Sequence, residues 1–236
     1  MRVSRIPRIL HQSWKDEHIP YDIYKKCWVE SWMSLHSGWQ RMFWTDADNL
    51  ELVRAHYPQF QEAYRQLTPS IKQADFARFL YMHRFGGVYV DLDFVSLRPL
   101  EPLLADYDIV LGCLSDDNDY YRIPNAFLAS SPGSDFWLRV AQDALHASPS
   151  EQQVERHTGP FRLQQGLLAY RPANTVIYSG ELIYPIDWIH LTHGANDRYF
   201  RPERAELHRR AQSMTPAELA ALFPESYCLT FWTHNW

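Results

Sequence analysis

Residues 70–97 read SIKQADFARFLYMHRFGGVYVDLDFVSL, and this stretch decides the fold. Ile71, Ala74, Ala77, Leu80, Tyr81 and Phe85 recur at helical spacing, which predicts a helix with Ser70 as its N-cap. Gly86 and Gly87 stop it, because glycine tolerates the backbone conformations found just past a helix end. VYVDLDFVSL (88–97), rich in β-branched and aromatic residues, reads as the strand that follows. That strand carries an oddity. Asp91 and Asp93 lie two residues apart, so in a continuous strand both carboxylates share one face. Aspartate is a poor strand residue and is rarely buried unpaired. A cation, basic side chains or solvent must offset the repulsion.

The same alternation extends outward. Upstream, RIPRILHQSW (5–14) reads as a first strand, 21–35 as a helix with Tyr24, Trp28, Trp32 and Leu35 on one face, and WQRMFW (39–44) as a second strand. Thr45 caps the next helix, with Asp48 three residues on as in a capping box, and that helix runs to Tyr57. Downstream, YDIVLGCL (107–114) and NAFLAS (125–130) read as strands and SPGSDFWLRVAQDALHA (131–147) as a helix. FRLQQGLLAY (161–170) reads as a short helix and TVIYSGELIYPI (175–186) as two strands joined at Ser179-Gly180. Residues 201–212 form a charged stretch, a solvated helix or loop. Thr215, Pro216 and Glu218 start a last helix before YCLTFWTHNW. Interleaved strands and helices predict one α/β domain over 1–236 with a largely parallel sheet.

Bulk composition narrows the function classes. The 236 residues are 46% hydrophobic and 22% charged, a globular balance. The formal net charge, 23 − 28 = −5, argues against a nucleic-acid partner. Cys27, Cys113 and Cys228 show no metal spacing and are odd in number, which suggests a reducing, cytoplasmic setting, with peripheral attachment to a membrane left open. No run of apolar residues is long enough to predict a membrane span, and the basic N-terminus lacks the apolar core of a signal peptide. Most of the nine tryptophans belong to a core; a few suit stacking on a sugar or base.

An Asp-x-Asp pair at a strand end suits a hard divalent ion that shares its remaining positions with phosphate oxygens and water. By itself the tripeptide is weak evidence, since a solvated strand end explains it as well. Its flank adds weight. Asp75 and Arg78, at i and i+3, share one face of the preceding helix, and a compact helix–glycine–strand unit would carry them towards Asp91 and Asp93. The alternative for that pair is an ordinary helical salt bridge.

Residues 70–100 closely resemble the Asp-x-x-Arg … Leu-Tyr … Gly-Gly-x-Tyr-x-Asp-x-Asp core of glycosyltransferase family 32. This group includes yeast initiating mannosyltransferases and capsule or lipooligosaccharide sugar transferases, and large clostridial glucosylating toxins have a related core. IPRILHQSWK, GWQRMFWTD, NAFLAS, TGP and the terminal Trp also resemble family segments, so the likeness covers most of the chain in order. It implies a GT-A fold, a Rossmann-like nucleotide-binding sandwich, and retaining transfer of a sugar from a UDP- or GDP-sugar to a glycan or glycolipid hydroxyl. It implies Mn²⁺ or Mg²⁺ as cofactor, with Asp93 as direct ligand and Asp91 contacting the ribose or the ion through water. Asp75 and Arg78 would hold the transferred sugar, with Arg78 also within reach of the diphosphate, Tyr89 and His11 would flank the nucleotide, and Asn125 would lie near the sugar or the acceptor.

The tail departs from the family's His-x-Trp-x-x-Ser-Trp pattern: Thr230, Trp232, Asn235 and Trp236 stand there. Trp236 is expected beside the donor, and Asn235, or His234 one residue earlier, in place of the family's ligands to the metal. A double-displacement route would need a carboxylate under the anomeric carbon, for which Asp75, Asp116, Asp117, Asp119 and Asp187 are candidates; a front-face route needs none. Rival readings are a phosphohydrolase of the haloacid dehalogenase type and a non-catalytic nucleotide- or sugar-binding module. The first wants its aspartates on the first strand, which residues 91 and 93 are not.

Overall fold

The computed structural model describes residues 4–114, 122–147, 151–191 and 199–233. Its strands are β1 (Ile9–Ser13), β2 (Gln40–Trp44), β3 (Gly87–Val90), β4 (Phe94–Ser96), β5 (Ile109–Gly112), β6 (Phe127–Ser130), β7 (Thr175–Tyr178) and β8 (Cys228–Thr230). The helices are α1 (Lys26–Leu35), α2 (Asp46–His56), α3 (Gln61–Gln66), α4 (Ser70–Arg84), α5 (Glu101–Leu104), α6 (Asp135–Leu145), α7 (Val154–His157), α8 (Pro160–Tyr170), α9 (Gly180–Ile183), α10 (Pro202–Gln212) and α11 (Pro216–Leu222).

Six of these strands form one sheet in the order β2-β1-β3-β6-β5-β7. β1 runs parallel to β2 and β3, and β5 runs parallel to β7. β6 is reversed, antiparallel to both β3 and β5, so the sheet is mixed but mostly parallel. Alternation along β3 sends Tyr89 to one face and Val88 and Val90 to the other. On the Tyr89 side, α4 and α6 pack Phe76, Phe79, Leu80, Trp137 and Val140. On the Val88 side, Trp32 of α1, Leu103 and Leu104 of α5 and Ile183 of α9 close the second layer. A sheet covered on both faces is the three-layer α/β arrangement that the alternation of elements predicts.

Gly86 and Gly87 are required for two reasons. Their φ angles are +63° and +90°, in the left-handed region. A Cβ on Gly86 would also lie 2.6 Å from the Ser130 carbonyl oxygen, and one on Gly87 would lie 2.5 Å from that of Ile9. The glycines therefore let α4 turn directly into β3 while β3 lies between β1 and β6.

Four expectations are corrected. Residues 88–97 are not one strand: β3 ends at Val90, a turn closed by the Phe94 amide donating to the Asp91 carbonyl (3.2 Å) follows, and β4 leaves to pair with β8 in a second, two-stranded sheet. The two aspartates thus occupy the passage between sheets, where side chains need not be buried between helices. Ser70 is the first residue of α4, and Pro69 holds the cap position, with extended backbone and no capping side chain. The second strand expected after Ser179-Gly180 is the short helix α9, whose Ile183 is buried. The stretch 201–212, read as a solvated helix or loop, needs no correction and carries helix α10.

His11 is the fourth. It lies mid-strand in β1, fully buried, and stacks at 5.6 Å on Tyr81. Trp44 Nε1 can only donate, so it fixes His11 Nδ1 as acceptor at 3.0 Å. Nε2 then carries the proton and donates to the Gly86 carbonyl at 2.8 Å. Burial lowers its pKa to about 4, against the Gly86 bond that works to raise it. His11 supports the glycine turn from the core and does not line the cleft at the strand ends.

Candidate active site

A cleft of about 220 Å³ opens where the parallel strands β1 and β3 end, the position at which open α/β sheets bind ligands. Asp75, Arg78, Tyr89, Asp91, Asp93 and Asn125, all predicted from the sequence, line this one cleft. His11 does not. Asn235, Trp236 and His234 lie outside the described residues, as do Asp116, Asp117 and Asp119.

The helix and the turn meet through Arg78. Its Nη2 lies 3.2 Å from Asp75 Oδ1 and its Nη1 lies 3.4 Å from Asp91 Oδ1. Nη1 also donates to the Asn125 carbonyl at 2.9 Å, and the guanidinium sits 4.6 Å over the Tyr89 ring. The expected ordinary helical salt bridge is therefore part of something larger: Arg78 is buried and spans two segments of the site. Tyr89 completes the brace, its hydroxyl donating to Asp91 Oδ1 at 2.7 Å with Ser13 Oγ 3.2 Å away. Tyr89 is thus both a core aromatic and a hydroxyl at the cleft.

Asp75 is held from three sides. Besides Arg78, Asn125 Nδ2 donates to its Oδ1 at 2.8 Å and Thr158 Oγ1 to its Oδ2 at 3.4 Å. Burial nevertheless pushes its pKa up to about 6, because removing a carboxylate from water outweighs these partners.

Asp93 is anchored by the C-terminal segment. Thr230 Oγ1 donates to its Oδ1 at 2.9 Å, and the Thr233 amide and hydroxyl donate to Oδ2 at 2.8 and 3.2 Å. Its pKa also rises to about 6, first by burial and then by the charge of Asp91. Thr230 stands where the resembled pattern has histidine; here it orients the carboxylate. Trp232 lines the cleft too, with φ +50° and its Nε1 donating to the Ile186 carbonyl at 2.7 Å.

Asp75 and Asp91 share one guanidinium, and Asp93 beside Asp91 is held by hydroxyl and amide donors without a cation. The surplus of negative charge and the all-oxygen donors of Asp91 and Asp93 fit a hard divalent cation completed by phosphate oxygens and water. Among the described residues no group of three or more His, Cys, Asp or Glu gathers as a metal cage.

Sequence reasoning missed Ser13, Trp14, Lys15, Tyr24, Asp46, Asn49 and Thr233 on the cleft wall. Ser13 to Lys15 were accessible in principle, since they follow the C-terminal end of the first parallel strand. Thr158 and Thr233 meet the site across 83 and 140 residues; Thr158 stands in the family-like TGP segment, whereas no local signal announces Thr233. Asp187 is N-terminal support for a short turn, accepting from the Ile189 amide at 3.0 Å, and is not on the cleft wall. Gln164 Oε1 accepts from the Arg122 amide at 3.0 Å and so braces the backbone rather than lining the cleft.

Residues 23–110 match the family described as the glycosyltransferase sugar-binding region containing DXD motif. Over that region the chain is of the DXD-motif glycosyltransferase type. The matched region holds α4, the glycine turn and both aspartates. Inositol phosphoceramide mannosyltransferase 1 of Schizosaccharomyces pombe is 34% identical over 115 residues, 46% of this chain and 34% of that protein. The chain thus spans about a third of that relative's length. An uncharacterized glycosyltransferase of Acanthamoeba polyphaga mimivirus is 29% identical over 96% of this chain and 91% of its own. Among solved structures, the PaToxG glycosyltransferase superposes with a TM-score of 0.54, covering 94% of this chain and 89% of that one at 15% identity. At that identity the likeness speaks for the fold, which is of the GT-A type. No helix among the described residues is long and apolar enough to cross a membrane.

Proposed function

We propose that the chain catalyses metal-dependent transfer of a sugar, with retention, from a nucleoside-diphosphate sugar to a hydroxyl of a glycan or glycolipid. The observation that carries this reading is the unbroken contact path Asp75–Arg78–Asp91 with Asp93 beside it, which joins sugar-binding and cation-binding chemistry in one cleft. The mannosyl relatives favour mannose as the transferred unit.

Asp93 would hold Mn²⁺ or Mg²⁺ directly, with Asp91 next to it and Asn235 a further candidate. Such a cation, when bound, neutralises charge that develops on the departing diphosphate. The chain's own residues do the rest. Thr230 and Thr233 orient Asp93, and Tyr89 and Arg78 orient Asp91. Asp75 and the guanidinium of Arg78 present acceptors and donors to the hydroxyls of the transferred sugar. Trp14, Leu92 and Trp232 give the cleft an apolar side. In a front-face step the bond from the anomeric carbon to the phosphate oxygen breaks as the bond to the acceptor oxygen forms. The acceptor's proton passes to the departing phosphate oxygen. This route suits the site because Asp75 is already engaged by three side chains and Asp187 lies off the cleft.

The test is to incubate the chain with a panel of UDP- and GDP-sugars, with and without Mn²⁺, and to follow binding and donor cleavage. Metal-dependent cleavage of at least one donor, lost in Asp93→Asn, is expected. If no nucleotide sugar binds or turns over, the non-catalytic or unrelated readings prevail.

A further inference from the structure

Five carboxylates line the cleft: Asp46, Asp75, Asp91, Asp93 and Glu155. Asp75, Asp91 and Asp93 are engaged as described. Asp46 starts α2 and shares the β1 end of the cleft with Trp14 and Lys15. Glu155 is separate from both groups. It reaches the cleft from α7, is exposed, and has no hydrogen bond or ion pair with any described residue.

Contacts order the wall. From Asp93 and Asp91 the path runs to Arg78, to Asp75 and then to Thr158, the residue that follows α7. Along this path α7, and Glu155 with it, is reached through Asp75 and Thr158 rather than through Asp91 or Asp93.

The placement of α7 is held by an uncommon device. Lys72, one turn before Asp75 on α4, is only 4% exposed and has no carboxylate partner among the described residues. Its ammonium donates to the Glu151 carbonyl at 2.9 Å and to His157 Nδ1 at 3.0 Å, gripping both sides of α7. A buried cation without a counter-charge is costly, so it is kept where position matters. Close packing adds to the grip: a Cβ on Gly159 would lie 2.8 Å from Glu155 Cα.

We infer that α7 is the acceptor wall, that Glu155 accepts a hydrogen bond from a hydroxyl of a polyol acceptor, and that Lys72 is the positioning residue that holds it there. This rests on the transferase reading. It selects for acceptor chemistry: a neutral hydroxyl-bearing ring suits the carboxylate, and an anionic group at that point is repelled.

The test uses the full chain with Mn²⁺ and its cleaved donor's nucleoside diphosphate. Binding of myo-inositol, methyl α-mannopyranoside and glycerol is followed by saturation-transfer NMR, and the acceptor and donor KM values are measured for the best probe. Saturable binding of at least one polyol is expected. Glu155→Ala should raise the acceptor KM at least tenfold while the donor KM stays within twofold, with Glu155→Gln intermediate. Lys72→Met should reproduce the Ala pattern and Lys72→Arg should restore most of it. Absence of polyol binding, an acceptor KM unchanged in Glu155→Ala, or equal changes in donor and acceptor constants overturns the inference. Donor binding by calorimetry is scored separately: if the unaltered chain binds no nucleotide sugar, it is the transferase reading that fails.

Discussion

Thr230 Oγ1 donates a 2.9 Å hydrogen bond to Asp93 Oδ1 across 137 residues of sequence. The bond is possible because β4, which starts right after Asp93, pairs with β8, which ends at Thr230, placing Phe94 opposite Thr230. The second sheet is thus the device that aims a cleft carboxylate. Thr230→Val removes the hydroxyl at nearly constant volume. A hydrogen bond to a charged group contributes about 1.5 kcal/mol, so apparent Mn²⁺ affinity should fall roughly tenfold. Mn²⁺-dependent thermal stabilisation measures this. Thr230→Ser should retain the affinity, and an unchanged midpoint in Thr230→Val would remove the orienting role.

Arg78 should not accept lysine. Its guanidinium reaches Asp75, Asp91 and the Asn125 carbonyl together while lying over Tyr89. A lysine ammonium is a single point on a flexible stem and cannot bridge the three. Arg78→Lys leaves Asp75 buried and under-compensated, a loss of roughly 3 kcal/mol in urea unfolding, with transfer reduced at least about 100-fold. A loss below about 1 kcal/mol would mean that the bridge is dispensable.

Two glycines with positive φ separate conformational from steric demands. Gly133, at φ +78°, has open space within 4 Å of where a Cβ would stand, whereas Gly87, at φ +90°, would place one 2.5 Å from the Ile9 oxygen. Gly133→Ala should cost about 1 kcal/mol from backbone strain alone. Gly87→Ala should cost at least about 3 kcal/mol, since the strain adds to a clash with the neighbouring strand. Parallel chemical denaturation of the two variants decides whether the β1–β3 approach is as tight as described.

Acid should weaken the fold partly through His11. Its folded pKa is depressed to about 4 from 6.5, chiefly by burial. Above pH 6.5 the ring is neutral in both states and its bonds to Trp44 and Gly86 are intact. As pH falls from 6.5 to 4 the unfolded chain gains the proton first, and up to roughly 3 kcal/mol of stability is lost. Below about 4 the loss levels off. His11→Gln should be less stable at about pH 7, and the gap between the two proteins should narrow as pH falls through that window. A gap independent of pH would contradict the buried neutral ring.

Much of the site is legible locally because one contiguous unit builds it. Asp75, Arg78, Tyr89, Asp91 and Asp93 all fall within 70–97, and helical and strand periodicities with a glycine stop suffice to bring them together. His11 misleads for a specific reason. A histidine near the end of a first strand looks ligand-facing, but the strand runs on to Ser13, and alternation turns His11 onto Trp44 and Tyr81. The single-strand reading of 88–97 fails similarly, since the residues on both sides of the aspartates are strand formers and nothing local says that they belong to different sheets.

The sequence by itself determined the helix–glycine–aspartate unit, the α/β class and the carboxylate-rich chemistry, since these follow from periodicity, φ preference and charge within about thirty residues. The tertiary structure alone decided what holds those carboxylates. Thr158, Thr230, Thr233 and Lys72 act on the site through sheet pairing and helix packing that join residues 79 to 140 positions apart. Hydrogen bonds of a few ångströms depend on where chains cross, and where chains cross depends on the burial of both faces of the sheet rather than on any local pattern.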